Sequence, residues 1–451
     1  MSFPRYPKYK PSGVEWLGDV PEHWEVRPLK HACHVFPSNV DKKSHDGEEP
    51  VLLCNYTDVY YNETITAGMN FMEATASTEQ IAKFTLRKGD TIITKDSETA
   101  DDIAIGAYVP ADLPGVVCGY HLSMARPSPG TDGAFVKRLF DSTYAKSCFA
   151  VRANGLTRVG LGQYELDNVE LPFPPLPEQT AIAAFLDRET AKIDGLVAEQ
   201  QRLMELLKEK RQAVISHAVT KGLNPRAPMK PSGIEWLGDV PAHWRVMPMR
   251  LIANVVRGAS PRPAGDPKYF GGEDVPWVTV AEITKDNAVY LTETESSLTQ
   301  EGAVHSSLFR SGTLIYSNSG ATLGVPKILR IDACANDGVV AFLNLNGEVF
   351  AEFLYHYLAS ITDCIRDKAK QGSGQPNLNT DIVKDLRFGL PPMDEQEAIV
   401  SQITKLAEQF DALTAEAQHA IDLLQERRTA LISAAVTGQI DVRNVTDIKT
   451  A

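Results

Sequence analysis

The side chains best able to do chemistry sit in short polar loops between apolar runs. In the first half of the chain these are Asn39-Val40-Asp41-Lys42-Lys43-Ser44, Asn55-Tyr56-Thr57-Asp58 and Thr94-Lys95-Asp96-Ser97. In the second half they are Arg257-Gly258-Ala259-Ser260-Pro261-Arg262, Thr279, Ser317-Asn318-Ser319 and the segment Gln371-Gly372-Ser373-Gly374-Gln375-Pro376-Asn377. Arg, Lys, Asn and Gln can offer paired donors and acceptors to base edges, and loop cations at least find phosphates. The candidate contacts are therefore Asn39, Lys42, Lys43, Asn55, Tyr56, Lys95 and Ser97, with Arg257, Ser260, Arg262, Thr279, Ser317, Asn318, Gln375 and Asn377. Each has an ordinary solvated turn as its alternative. The four cations Lys42, Lys43, Arg257 and Arg262 are the strongest of the set.

Other chemistries lack their residues. His31-Ala32-Cys33-His34 crowds three potential ligands together with no matching group elsewhere, so no metal is expected there. The six cysteines include no CxxC pair, which predicts reduced, packed thiols. A methyltransferase should carry a glycine-rich cofactor loop and an Asn- or Asp-Pro-Pro-aromatic tetrapeptide. Here the Pro-Pro pairs follow Phe173 and Leu390. No GxxxxGK(S/T) phosphate loop exists either, and no acidic-acidic-lysine nuclease cluster stands out. No catalytic residue is expected.

At 451 residues the chain exceeds one ordinary core, and its 43% hydrophobic and 23% charged content is that of a folded globular protein. No run of about 18 apolar residues could span a membrane, and the first residues lack a signal-peptide core, so a cytoplasmic location is expected. A net charge of −13 opposes binding nucleic acid through bulk charge. Any such binding must use local basic clusters or a more basic partner.

The elements that position these loops are written twice. Residues 10–24 read KPSGVEWLGDVPEHW and residues 230–244 read KPSGIEWLGDVPAHW, differing only at Val14/Ile234 and Glu22/Ala242. Pro174-Pro175-Leu176-Pro177-Glu178-Gln179 opens a long segment that ends at Ala218-Val219-Thr220. Pro391-Pro392-Met393-Asp394-Glu395-Gln396 opens its counterpart, ending at Ala435-Val436-Thr437. In the second copy Ile399, Ile403, Leu406, Phe410, Leu413, Ala417, Ala420 and Leu424 step by four and three, an a/d seam. The first copy places Leu186, Ile193, Leu207 and Val214 on one heptad register and Leu196 and Leu203 on another. Two helices of about 60 Å are expected. They are expected to pair as an intramolecular antiparallel coiled coil about a pseudo-twofold axis, with intermolecular dimerisation as the alternative.

The bodies between, 25–173 and 245–390, share rhythm but little sequence: short apolar strands, turn residues, then helical stretches near Phe135–Phe149 and Val349–Ala369. The predicted class is α+β, with two similar α+β domains separated by the long helices. The expected partition is a lead segment 1–24, body 25–173, helix 174–220, linker and repeated lead 221–244, body 245–390, helix 391–437 and tail 438–451. Trp16, Trp24, Trp236 and Trp244 read as anchors for the lead segments.

PSG(V/I)EWLGDVP(E/A)HW, the PP-x-x-EQ opening of a heptad helix and the duplicated layout together resemble the type I restriction–modification specificity subunit family, over nearly the whole chain. The resemblance implies two target recognition domains, each reading half of a bipartite double-stranded DNA site. It also implies that the paired helices space the half-sites and dock two modification (methyltransferase) subunits, with restriction subunits joining the full complex. S-adenosylmethionine, ATP and magnesium would be held by those partners and no cofactor by this chain. Two other readings stay open on the residues alone: a subunit that itself cleaves or modifies nucleic acid, and a coiled-coil adaptor for two protein ligands.

Overall fold

A computed structural model describes residues 3–320, 322–370 and 378–443. It divides into two compact units, residues 1–201 with 418–451 and residues 202–417. The dividing line cuts through both long helices. Each unit holds one body, one lead segment, part of α1 (Leu176–Lys221) and part of α2 (Met393–Val436).

The double prolines start the helices as their missing N–H groups permit, and Glu178, Gln179 and Gln396 begin the ladder by donating backbone N–H to Pro175 and Pro392 carbonyls. In the first unit Ile182, Leu186 and Ile193 of α1 share a core with Leu431, Ile432 and Val436 of α2. Arg428 meets Asp194 at 3.0 Å on the rim of that seam. In the second unit Ala218 and Val219 of α1 pack with Ile399 and Ile403 of α2, and Arg211 pairs with Asp411. In both units an early stretch of one helix meets a late stretch of the other, so the pairing is antiparallel. The seam uses the Leu186–Ile193 register. Leu196 and Leu203 are 45% and 43% exposed, and Leu413, which the stepping pattern places inside, is 48% exposed.

The first body contains a three-stranded sheet ordered Val116–Cys118, Glu49–Cys54, Met72–Ala76. Beside it lies a four-stranded sheet ordered Cys33–Pro37, Leu122–Pro127, Thr91–Thr94, Gly106–Tyr108. The second body contains a five-stranded sheet ordered Asn254–Arg257, Val339–Leu343, Leu314–Ser317, Pro326–Leu329, Tyr290–Leu291. Its other sheet has four strands, ordered Ser297–Leu298, Phe270–Val278, Ala333–Ala335, Ser307–Phe309. Most pairs are antiparallel, but Val116–Cys118 runs parallel to Leu52–Cys54, Cys334–Ala335 to Trp277–Val278, and Tyr290–Leu291 to Ile328–Leu329. Helices Gly133–Asp141 and Thr143–Ala150 complete the first body, and Ala351–Ser360 and Thr362–Lys370 the second. The architecture is α+β with an internal repeat.

Each body is clasped at its ends. Glu25–Pro28 pairs antiparallel with Glu170–Phe173, and Arg245–Pro248 with Arg387–Leu390. The chain therefore leaves each body where it entered, which lets a divergent body sit on a repeated frame.

The two repeated motifs meet at one carboxylate. Glu178, buried at 6% exposure, accepts from the Tyr6 hydroxyl at 2.6 Å and from Trp24 Nε1 at 3.1 Å, and its other oxygen lies 2.8 Å from His23 Nε2. Glu395 repeats this with Trp244 Nε1 at 3.2 Å and His243 Nε2 at 2.7 Å. The neighbouring glutamines tie the bodies on: Gln179 accepts from Asp132 N and donates to Pro174 O, while Gln396 accepts from Phe350 N and donates to Glu348 O and Pro391 O. Trp24 and Trp244 are wholly buried, whereas Trp16 and Trp236 are 59% and 37% exposed, so only the second tryptophan of each lead is a buried anchor. Gly438, at φ +76°, ends α2 against this joint. A Cβ there would lie 2.3 Å from Pro21 Cδ, so no other residue fits.

Candidate nucleic-acid interface

In the first body the polar loops converge on the turn Gly119-Tyr120-His121. Tyr120 N donates to Val40 O at 2.8 Å, Gly119 N to Cys54 O at 2.9 Å and Lys95 N to His121 O at 3.3 Å. Three separate segments are thereby fixed to one loop. Gly119 is required by closeness: a Cβ would stand 2.7 Å from Cys54 O. Over this turn lies a cavity of about 200 Å³ whose walls include Lys42, Lys43, Asn55, Tyr56, Tyr120 and His121.

Within this group Lys42 and Lys43 are exposed, and Lys43 N is held by the Asp41 carboxylate at 2.7 Å. Lys95 Nζ lies 4.8 Å from the centre of the Tyr120 ring, and burial holds its ammonium below the ordinary lysine range. His121 Nδ1 is 2.8 Å from Asp96, which also accepts from Arg158 at 2.8 Å, so the imidazole plane is fixed. Tyr56 stacks on Tyr60 at 5.4 Å. Asn39 stands aside, its side-chain oxygen accepting from Gln80 at 3.2 Å. Ser97 is buried at 2% exposure beside Asp102, which corrects the expectation of a loop-surface hydroxyl.

The second body uses the equivalent turn, Asn336-Asp337-Gly338. Gly258 N donates to Val339 O at 2.8 Å, Ala259 N to Ala335 O at 3.0 Å, Asn336 N to Val278 O at 3.0 Å and Asn318 N to Gly338 O at 2.9 Å. The loops carrying Arg257, Ser260, Arg262 and Thr279 thus gather at one place. Asp337 is their centre: its side chain accepts from Ser260 Oγ at 2.7 Å and faces Arg262 at 3.5 Å, and its carbonyl accepts from Arg257 Nε. The hydroxyl of Ser260 and the two guanidinium groups hold the Asp337 carboxyl below the usual carboxylate range. Thr279 is half-buried at the start of helix Val280–Thr284.

Ser317 and Asn318 are wholly buried. The Ser317 hydroxyl accepts from Val325 N and donates to Thr322 O, each at 2.9 Å, so it shapes a turn rather than a surface. The strand Leu314–Ser317 is buried at every position, on both of its faces, so the consecutive Ser317 and Asn318 both lie inside, which the loop-like composition concealed. Gln375 and Asn377 lie outside the described residues. His31 and His34 are exposed while Cys33 is buried, so the three groups of that tetrapeptide face different surroundings.

Reading the sequence missed Tyr120, His121 and Asp337. Their signal was present, since Gly119-Tyr120-His121 and Asn336-Asp337-Gly338 are turn sequences between apolar strands. They carried less obvious cationic chemistry than their neighbours.

Comparison with known proteins agrees with this architecture. The MjaVIII type I restriction enzyme specificity subunit of Methanocaldococcus jannaschii is 20% identical over 454 residues, covering 94% of this chain and 95% of that protein. The EcoKI type I restriction enzyme specificity subunit of Escherichia coli K12 is 20% identical over 445 residues, covering 94% and 90%. The crystal structure of the HsdS subunit from Thermoanaerobacter tengcongensis superposes with a TM-score of 0.55 at 18% identity, over 93% of this chain and 98% of that one. The type I restriction modification DNA specificity domain matches residues 21–205 and again 241–422, so this chain belongs to that family and carries its domain twice.

Proposed function

We propose that the chain reads a bipartite double-stranded DNA target, one half-site per body, and docks methyltransferase subunits on its paired helices, with restriction subunits joining through them. The observation that carries this is the repeated construction of the two bodies. In each, separate polar loops are fixed to one rigid turn, 119–121 or 336–338, on an otherwise repeated frame. Rigid positioning of a few side chains is what base readout requires. Two half-sites about one helical turn apart (~34–36 Å) suit two similar readers, and discrimination at separate base pairs adds roughly as free energy.

Docking on the helices is supported by apolar side chains that the seam leaves out. The first unit exposes Leu196 and Leu423, and the second exposes Leu203, Leu206 and Leu413. The chain makes and breaks no bond itself. S-adenosylmethionine, ATP and magnesium belong to the partners, and the complex works in the cytoplasm.

The test exchanges the body 25–173 for that of a relative and determines the recognised sequence of the assembled complex. One half of the site should change and the other persist. A change in both halves, or in neither, contradicts modular reading. Nuclease or methylation activity of the isolated chain would favour an enzyme instead, and protein binding without any DNA binding would favour an adaptor.

A further inference from the structure

The turn at Asp337 offers more than a cation to a phosphate. Arg257 spends its Nε–H on the Asp337 carbonyl, which fixes the plane of the guanidinium. The residue is exposed, and among the described residues its terminal nitrogens make no hydrogen bond. That leaves the outer edge of the fork, two parallel N–H donors, aimed away from the backbone that holds it.

The mounting is stiff. The Arg257 loop is stitched to the turn by Gly258 N to Val339 O and Ala259 N to Ala335 O, and Ser306 Oγ donates to Ala259 O at 2.7 Å. Gly258 permits the approach, since a Cβ there would meet Asn336 O at 2.2 Å.

Such a fork can bind a phosphate or a guanine edge, and the neighbouring carboxylate decides between them. Asp337 is 45% exposed and sets an acceptor beside the Arg257 donors, which a phosphate, itself only an acceptor, cannot use and a base pair can. A guanine presents N7 and O6 as acceptors, and its paired cytosine presents the N4 amino donor. Two fork donors and one carboxylate acceptor match that pattern. Arg262, 70% exposed and joined to Asp337 only by a long 3.5 Å contact, is the more exposed side chain of that pair and the cation assigned to the backbone.

Building on the DNA-reading function proposed above, we infer that Arg257 and Asp337 together read one G·C base pair in the major groove, in the half-site bound by the second body. Arg257 donates to guanine, Asp337 orients it and accepts from cytosine, and Arg262 clamps a nearby phosphate.

The experiment selects duplexes from a randomised DNA library with the full chain assembled with its modification subunit. Wild type, R257A, R257K, D337N and R262A are compared. R257A and R257K should each lose roughly 5- to 150-fold preference for G·C at one position of one half-site, leaving the other half-site intact. D337N should weaken the same preference at the same position. R262A should weaken binding to all duplexes alike and lower the salt slope by about one.

R257K tests the fork without removing the charge, so loss of fold is not confounded with loss of reading. An unchanged motif in R257A and R257K, a uniform loss across sequences, or relaxation at an A·T pair would overturn the inference while leaving two-headed reading in place. A wild-type complex that selects no bipartite motif would overturn both.

Discussion

At the scale of single residues the chain depends on carboxylates that gather donors from distant segments. Glu178 serves Tyr6, Trp24 and His23, whereas among the described residues Glu395 serves Trp244 and His243, and Arg226 stands where the repeat would place a tyrosine. Glu178 is also the more buried, at 6% against 25%. Removing an acceptor strands buried donors, at about 1–3 kcal/mol each. E178A should therefore cost about 2–4 kcal/mol and E395A distinctly less, read as amide-exchange protection around Trp24 and Trp244. Equal losses would mean the extra tyrosine bond contributes nothing.

Glu63 is a second such centre. Burial would raise its pKa, but Lys137, Arg138 and Arg428 outweigh it and hold the carboxyl at about 2, against an ordinary 4.5. A depressed carboxylate stabilises the fold above its unfolded pKa and loses that contribution as pH falls through the folded value. The side chain is 48% exposed, so the screened contribution is on the order of 1 kcal/mol. Wild type should exceed E63Q in urea midpoint at neutral pH, and the gap should close between about pH 4.5 and 2. A gap independent of pH would show that the charge on Glu63 is not what matters. None of this was legible in sequence: Glu63 looks like one more acidic loop residue, and its partners lie up to 365 positions away.

Among the elements, the long helices were the most legible, because double prolines and a sustained heptad pattern leave few alternatives. The pattern was less exact about which leucines are inside. Leu196, Leu203 and Leu413 sit at plausible seam spacings yet are exposed, since apolar type alone does not distinguish a seam from a second apolar face. If the helices set the spacing of the half-sites, inserting or deleting one heptad or less within Glu178–Val219 should change the length of the unspecified spacer or abolish assembly, as read from the methylated motif. A variant that assembles and keeps its spacer removes the ruler from the helices. The strands of the bodies were legible where turn residues bound them, as at Thr91–Thr94 and Leu314–Ser317. The orientation of their ends was not, which is why Ser317 and Asn318 proved to be buried. That Glu178 would meet Trp24 could have been suspected, because both belong to the repeated motifs, but nothing local states the pairing.

For the whole molecule, duplication carries most of the meaning. A repeated frame holding divergent bodies explains how one chain can present two different surfaces: a lysine- and tyrosine-lined cavity over 119–121, and an arginine–aspartate turn at 336–338. The net charge of −13 fits this use of local chemistry, since only a few cations need to face DNA and the partners can supply the rest. The most direct test is a genome-wide map of methylated adenines in the source strain with this gene intact and deleted. Loss of methylation at one bipartite motif is expected on deletion, and that motif is then the target of the two bodies. An unchanged map in a strain whose modification enzyme is active would contradict the central claim.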